Sequence, residues 1–312
     1  MGASRRASSK GPSVSLLEAA DQLGVHYMTA YRYVRTGRLA AHKLGSQWRV
    51  DQADLDHFIE RAAAPAVASS TTPTSRRSPA DHTERLVSRL VAGDEGGAWT
   101  VVQRALAGGL DPAALYLDVL GPALREIGDQ WASGQVTVAQ EHQASMVALR
   151  LLGRLGPLFT RPGRSRGSVV VGAPAGDTHS LPTALFADLL RGEGLAVVQL
   201  GADTPPSSFV EAARAADRLV AVGVTATVSG NEEALAATIE ALHDAHLGPV
   251  VVGGRAVDCG DLAERLGADH HPTSTPEAVA LLDDLADQAR RARRRQRRTT
   301  SPRASQTTGP RR

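Results

Sequence analysis

Cysteine is all but absent from this chain of 312 residues. Cys259 is the single one, so no intramolecular disulfide can form and no thiolate metal site can be assembled. Long apolar runs are missing too. No stretch approaches the roughly 18 apolar residues of a membrane span, and the opening MGASRRASSKGPS is polar and basic, without the hydrophobic segment of a secretory signal. These absences exclude a disulfide scaffold and a helical membrane protein. They lead to the expectation of a cytoplasmic protein with no membrane partner. Net charge is scarce as well, +2 from 35 Lys and Arg against 33 Asp and Glu. What is present is an ordinary globular composition, 42% hydrophobic and 22% charged, with room for two or three domains.

Two stretches break the hydrophobic periodicity. AAAPAVASSTTPTSRRSPA at 62–80 is rich in Ala, Ser, Thr and Pro with no amphipathic pattern, and TRPGRSRGS at 160–168 forms a second joint. The expected organisation is therefore a small unit over 13–62, a flexible linker over 63–80, a helical unit over 81–160, an α/β unit over 167–289 and a disordered basic tail over 290–312. The tail opens with RRARRRQRR, which cannot bury a core. It reads either as a solubilising appendage or as a site for a polyanion.

In the first unit, Ser15 stands three residues before Glu18, the spacing of a capping box, and Leu16, Ala19, Ala20 and Leu23 follow at helical intervals. Gly24 ends that helix. VHYMTAYRYVRTG supplies a second helix with Gly37 as its stop, LAAHKLGSQWRV alternates around Gly45 and Ser46 as a two-stranded hairpin, and Asp51 starts a third helix ending near Arg61. A helix-turn-helix with a wing is the economical reading. The unit resembles the excisionase-like, MerR-type winged-helix DNA-binding domains, with TAYRYVRTGRL on the recognition helix and its exit, and KLGSQWRV on the wing. The resemblance implies a double-stranded DNA operator as partner. Thr29, Arg32, Tyr33 and Arg35 would reach base edges or phosphates from the major groove, and Lys43 and Arg49 would hold the backbone. A helical interaction module that never touches nucleic acid is the alternative.

Residues 81–159 hold no convincing strand. Four amphipathic segments separated by short Gly-containing breaks give a four-helix bundle, with helix starts at Asp111-Pro112 and Thr137. Trp131, Glu141 and His142 depart from its apolar pattern. By themselves they are an aromatic packing anchor and an exposed polar pair.

Beyond residue 167, SVVVGAP, LAVVQLG, LVAVGVTAT and GPVVVGG are short β-branched runs alternating with helical patterns. Such alternation means βαβ units and a parallel sheet covered on both faces. Ligands of these sheets bind outside the carboxyl ends of the strands, where GDTHSLP, TATVSG and VVGGRAV fall. Alone, His179 is a surface loop histidine. The three segments together resemble the Rossmann-like (flavodoxin-like) cobalamin-binding domain with its D-x-H-x-x-G, S-x-L and G-G elements, matched by Asp177 and His179, by Thr225 to Thr227, and by Gly253-Gly254. Pro182 replaces the glycine of the first element, and Thr225 and Thr227 replace the serine and leucine of the second. The resemblance implies His179 as the lower axial ligand of cobalt, Asp177 on its other ring nitrogen, and Thr225, Thr227, Gly253 and Gly254 around the displaced nucleotide tail.

The whole order, a winged helix, then W-x9-E-H, then D-x-H, is similar to the light-sensing, adenosylcobalamin-dependent MerR-type repressors of the CarH and LitR kind. In that family Trp131, Glu141 and His142 would pack around the 5′-deoxyadenosyl group. The implied function is a DNA-binding regulator, a repressor and not an enzyme, in which adenosylcobalamin gates a homo-oligomer, dimer or tetramer, and light releases it. Where light-sensing members carry a histidine after the cap tryptophan, this chain has Ala132. Two alternatives stay open: a corrinoid methyl carrier of a methyltransferase system, and a DNA-binding regulator whose cobalamin fold is non-functional.

Overall fold

A computed structural model describes residues 12–25, 27–35, 38–44, 47–63, 78–257 and 261–300. Two compact units emerge, one from Met1–Arg85 with Thr100–Leu120 and the other from Leu86–Trp99 with Gly121–Arg312.

The amino-terminal elements are β1 (Ser13–Ser15), α1 (Leu16–Leu23), α2 (Tyr27–Arg35), β2 (His42–Leu44), β3 (Gln47–Asp51) and α3 (Gln52–Ala63). The capping box forms as its spacing requires: Ser15 Oγ accepts the Glu18 N–H at 3.2 Å, and the Glu18 carboxylate accepts the Ser15 N–H at 2.7 Å. Gly24 closes α1 in the left-handed region at φ 62°. The sheet has one more strand than the expected hairpin, in the order β1-β3-β2, with Val14 opposite Val50. Three residues are too few to show a period of two, and the helix cap at Ser15 dominates the local signal. Leu16, Ala19, Ala20, Ala30, Tyr31, Val50 and Leu55 are buried. The turn at Gly45 and Ser46 and the stop at Gly37 lie outside the described residues.

The middle of the chain carries α4 (Pro79–Val91), α5 (Glu95–Ala107), α6 (Pro112–Ala114), a π-helical turn (Leu115–Leu120), α7 (Gly121–Ala132) and α8 (Val138–Leu155). No strand occurs among the described residues of this stretch. Asp111 Oδ1 accepts the N–H groups of Ala113 and Ala114 at 2.9 and 3.0 Å, with Pro112 in the first turn, where its missing N–H removes no bond. Thr137 and Gln140 close a second capping box.

The last region contains β4 (Ser168–Pro174), α9 (Ser180–Gly192), β5 (Ala196–Thr204), α10 (Pro206–Ala215), β6 (Leu219–Thr225), α11 (Glu232–Asp244), β7 (Val250–Gly253), α12 (Asp261–Arg265) and α13 (Thr275–Thr300). All four strands run parallel in the order β5-β4-β6-β7, and His270 adds a single parallel bridge to Val251 at the β7 edge. Every residue of β4 is buried, as a central strand covered on both faces must be. The winding reverses direction at β4, with β5 on one side and β6 on the other, and the carboxyl edge at such a switch point is where sheets of this kind bind ligands.

One segment departs from expectation. Instead of losing structure at residue 290, α13 continues to Thr300. Its first half is fixed by buried Val279, Leu282 and Ala286 and by ion pairs from Arg166 to Asp283 and Asp287. Once a helix is nucleated, Arg, Ala and Gln propagate it readily.

Candidate functional site

The chain leaves β4 at the carboxyl edge of the sheet and reaches α9 through a loop that holds Asp177 and His179. Asp177 is wholly buried and fully employed. Its Oδ2 accepts the Thr227 N–H at 2.6 Å, and its Oδ1 accepts the His179 backbone N–H at 3.1 Å and lies 2.9 Å from His179 Nδ1. That last bond requires the ring proton on Nδ1, which leaves the Nε2 lone pair for another partner. The imidazole side chain is 46% exposed, whereas the Asp177 side chain is 1% exposed. A buried carboxylate thus aims a half-exposed imidazole, the arrangement used to hold a metal-binding histidine in one tautomer.

The other expected residues converge on this loop. Thr225 ends β6 opposite Gly253 of β7, the Ala226 N–H donates to the Gly253 carbonyl at 2.8 Å, and the Ala256 N–H donates to the Ala226 carbonyl at 3.1 Å. Gly254 sits at φ 116°, and a Cβ there would meet the Ala226 carbonyl oxygen at 2.2 Å. Only glycine permits that approach. Pro182 lies in the first turn of α9, which accommodates it without loss of a backbone bond.

Three polar atoms near these segments are buried with no hydrogen-bond partner: Oγ1 of the expected Thr227, and Thr183 Oγ1 and Asn231 Nδ2, which were not singled out from the sequence. Asn231 lies against Gly176, where a Cβ would come within 3.0 Å of its Oδ1. Such groups cost about 1–3 kcal/mol each when left unsatisfied. A polar ligand that enters beside the histidine relieves that cost. Among the described residues no group of three or more His, Cys, Asp or Glu side chains could hold a metal ion. A corrinoid, whose ring already supplies the equatorial nitrogens, asks the protein for one imidazole, and this donor set fits it.

Trp131 is 48% exposed near the end of α7, and Glu141 and His142 sit in the first turns of α8. His142 Nδ1 lies 2.7 Å from Glu141 Oε2, while Glu141 Oε1 accepts the Ser145 hydroxyl at 2.7 Å. Arg255 follows Gly253-Gly254 directly and donates to Asp129, two residues before Trp131, at 3.0 Å. This ion pair joins the cap segment bearing Trp131 to the loop after β7.

On the winged-helix side, Thr29, Arg32 and Arg35 lie on α2, with side chains outside the described ones. Tyr33 is partly committed to packing: its ring stacks at a tilt on Phe58, 5.1 Å between centroids, with the Arg38 guanidinium 4.6 Å above it. Lys43 is exposed on β2, its Nζ 5.3 Å from the Trp48 ring. Arg49 turns inward, its Nη1 donating to the Ser13 carbonyl at 3.4 Å.

Residues 15–63 match the model of a helix-turn-helix domain, while residues 83–155 and residues 167–280 each match a model of a B12 binding domain. The HTH-type transcriptional repressor CarH of Myxococcus xanthus is 31% identical over 207 residues, covering 65% of this chain and 67% of that protein. Trimethylamine corrinoid protein 1 of Methanosarcina acetivorans is 27% identical over 194 residues, covering 61% of this chain and 89% of that protein. The structure of the monomethylamine corrinoid protein of Methanosarcina barkeri shares the fold at a TM-score of 0.58 and 18% identity, covering 67% of this chain and 100% of that one.

Proposed function

The chain belongs to the family of CarH-type, MerR-like cobalamin-binding transcriptional regulators, and from that premise we propose that it is a repressor whose hold on a DNA operator is set by adenosylcobalamin. The observation that carries this reading is His179, oriented by a buried Asp177 at the carboxyl edge of a parallel sheet in a chain that also carries a helix-turn-helix domain.

In this reading His179 Nε2 would hold the cobalt of the cofactor, and Asp177 would fix the ring. Thr225, Thr227, Gly253 and Gly254 would hold the nucleotide tail, and the Thr227 hydroxyl, buried without a hydrogen-bond partner, would gain one there. Trp131, Glu141 and His142 would hold the adenosyl group. When bound, the cofactor supplies a light-sensitive cobalt–carbon bond. Ala132 has no side chain that could hold a metal. Thr29, Arg32, Tyr33, Arg35 and Lys43 serve the DNA, Arg49 supports the wing from within, and assembly of several chains multiplies their affinity. A corrinoid carrier needs the two B12-binding regions alone, and the match at 15–63 favours the regulator.

The test is the absorption spectrum, size-exclusion profile and duplex binding of the purified chain with adenosylcobalamin, in the dark and after green light. The expected result is a bound cofactor, a dark oligomer, and a smaller species with weaker DNA binding after light. Cofactor binding with an assembly indifferent to light contradicts photoreception and leaves a chemical sensor or a carrier. No binding at all leaves a DNA-binding protein with a non-functional cobalamin fold.

A further inference from the structure

The winged-helix segment 13–62 is electrically neutral, with six basic and six acidic residues. DNA-binding modules draw much of their affinity from a sequence-independent attraction to phosphate, and a neutral module supplies little of it. The positive charge lies elsewhere. Residues 288–312 hold ten arginines and no acid, while the remaining 287 residues carry 25 bases against 33 acids.

The structure gives the first part of that charge a shape. Residues 290–298, seven arginines in nine positions, extend α13 in helical form. Val279, Leu282 and Ala286 bury the root of the helix, and Arg166 forms ion pairs with Asp283 and Asp287 just before the arginines begin. Arg290, Arg291 and Arg294 are exposed. At about 1.5 Å of rise and 100° of turn per residue, the seven arginines span about 12 Å and cover about 200° of the helix surface. Duplex DNA carries one negative charge per about 1.7 Å of its axis, about seven over the same length.

We infer that the carboxyl-terminal half of α13 is a second DNA contact, a preordered cationic arm that binds duplex phosphates without regard to sequence. This rests on the reading of the protein as a DNA-binding regulator, and it assigns the electrostatic share of binding to a part of the chain remote in sequence from the winged helix. The rest of the arm's surface is Ala289, Ala292 and Gln296. That face is too small to enter a bilayer, where an amphipathic helix needs Trp, Phe or Leu.

The experiment measures fluorescence anisotropy of the full chain and of R290Q/R291Q/R294Q/R297Q on a random-sequence 40-base-pair duplex across salt concentrations. Gln and Arg are near-equal helix formers, so circular dichroism and cobalamin uptake stay unchanged. With about 0.9 units of logarithmic salt slope per phosphate contact, the variant loses about 3 to 4 units of slope and more than tenfold in affinity at 0.1 M salt. Equal slopes with both proteins still binding overturn the arm and leave the winged-helix reading intact. Failure of both proteins to bind this random duplex at low salt overturns the arm, and leaves operator binding to be read from a sequence-specific duplex. Duplex binding unchanged, with loss only on single-stranded RNA or phosphatidylserine vesicles, also overturns the proposal.

Discussion

Two of this protein's carboxylate–imidazole pairs differ far more in their surroundings than in their distances. In the α/β region, Asp177 and His179 lie 2.9 Å apart; on α8, Glu141 and His142 lie 2.7 Å apart. The Asp177 side chain is 1% exposed and accepts two backbone N–H groups besides the ring, while the Glu141 side chain is 28% exposed and its second oxygen takes one serine hydroxyl. The His142 side chain is 73% exposed. A buried, saturated carboxylate cannot turn to water, so it holds its imidazole in one orientation before any ligand arrives. The α8 pair remains adjustable. In the proposed reading the first pair would hold the cofactor and the second would cover it.

The comparison breaks at its strongest point if His179→Ala leaves cobalamin binding untouched. The expected loss exceeds about 100-fold in affinity, since second-shell partners alone cost 10–100-fold, and the spectrum of whatever cofactor binds no longer shows an imidazole ligand. Asp177→Asn comes next. It keeps the size of the side chain but places a donor where acceptors are required, so affinity falls about 10- to 100-fold, and thermal or urea unfolding shows a loss of about 1–3 kcal/mol from mispaired buried groups. His142→Ala sharpens the contrast: adenosylcobalamin affinity changes less than tenfold, hydroxocobalamin affinity stays the same, and the melting temperature does not move. The smallest effect belongs to Arg255→Ala. The pair with Asp129 is exposed on both sides and contributes at most about 1 kcal/mol, so cofactor affinity shifts less than about fivefold, and the shift disappears in high salt.

Much of this architecture is legible in local sequence. The capping boxes at Ser15 and Thr137, the Asp111-Pro112 start and the alternation of β-branched runs with helices reappear where their physics puts them. Residues that act across long separations are not legible that way. Arg166 meets Asp283 from 117 positions away, and Asp129 meets Arg255 from 126. Neither pairing has a periodic signature. β1 was hidden by its length of three residues. Asn231 and Thr183 look like ordinary loop and helix polar residues until burial shows their donors and acceptors unmet. Of the expected DNA contacts, Arg49 and Tyr33 show how a surface pattern conceals packing, since each has a neighbour inside the unit. At residue 290, composition alone suggested disorder, yet the structure extends a helix already anchored by buried side chains.

The most direct test of the account is electron paramagnetic resonance of the full-length protein carrying cob(II)alamin and 15N-labelled histidine. Ligation by His179 replaces the nucleotide base below the cobalt, so each cobalt hyperfine line is split into a doublet by 15N, and the doublet is lost in His179→Ala. A triplet from the unlabelled 14N of the cofactor's own base would contradict the assignment of His179 as the metal ligand.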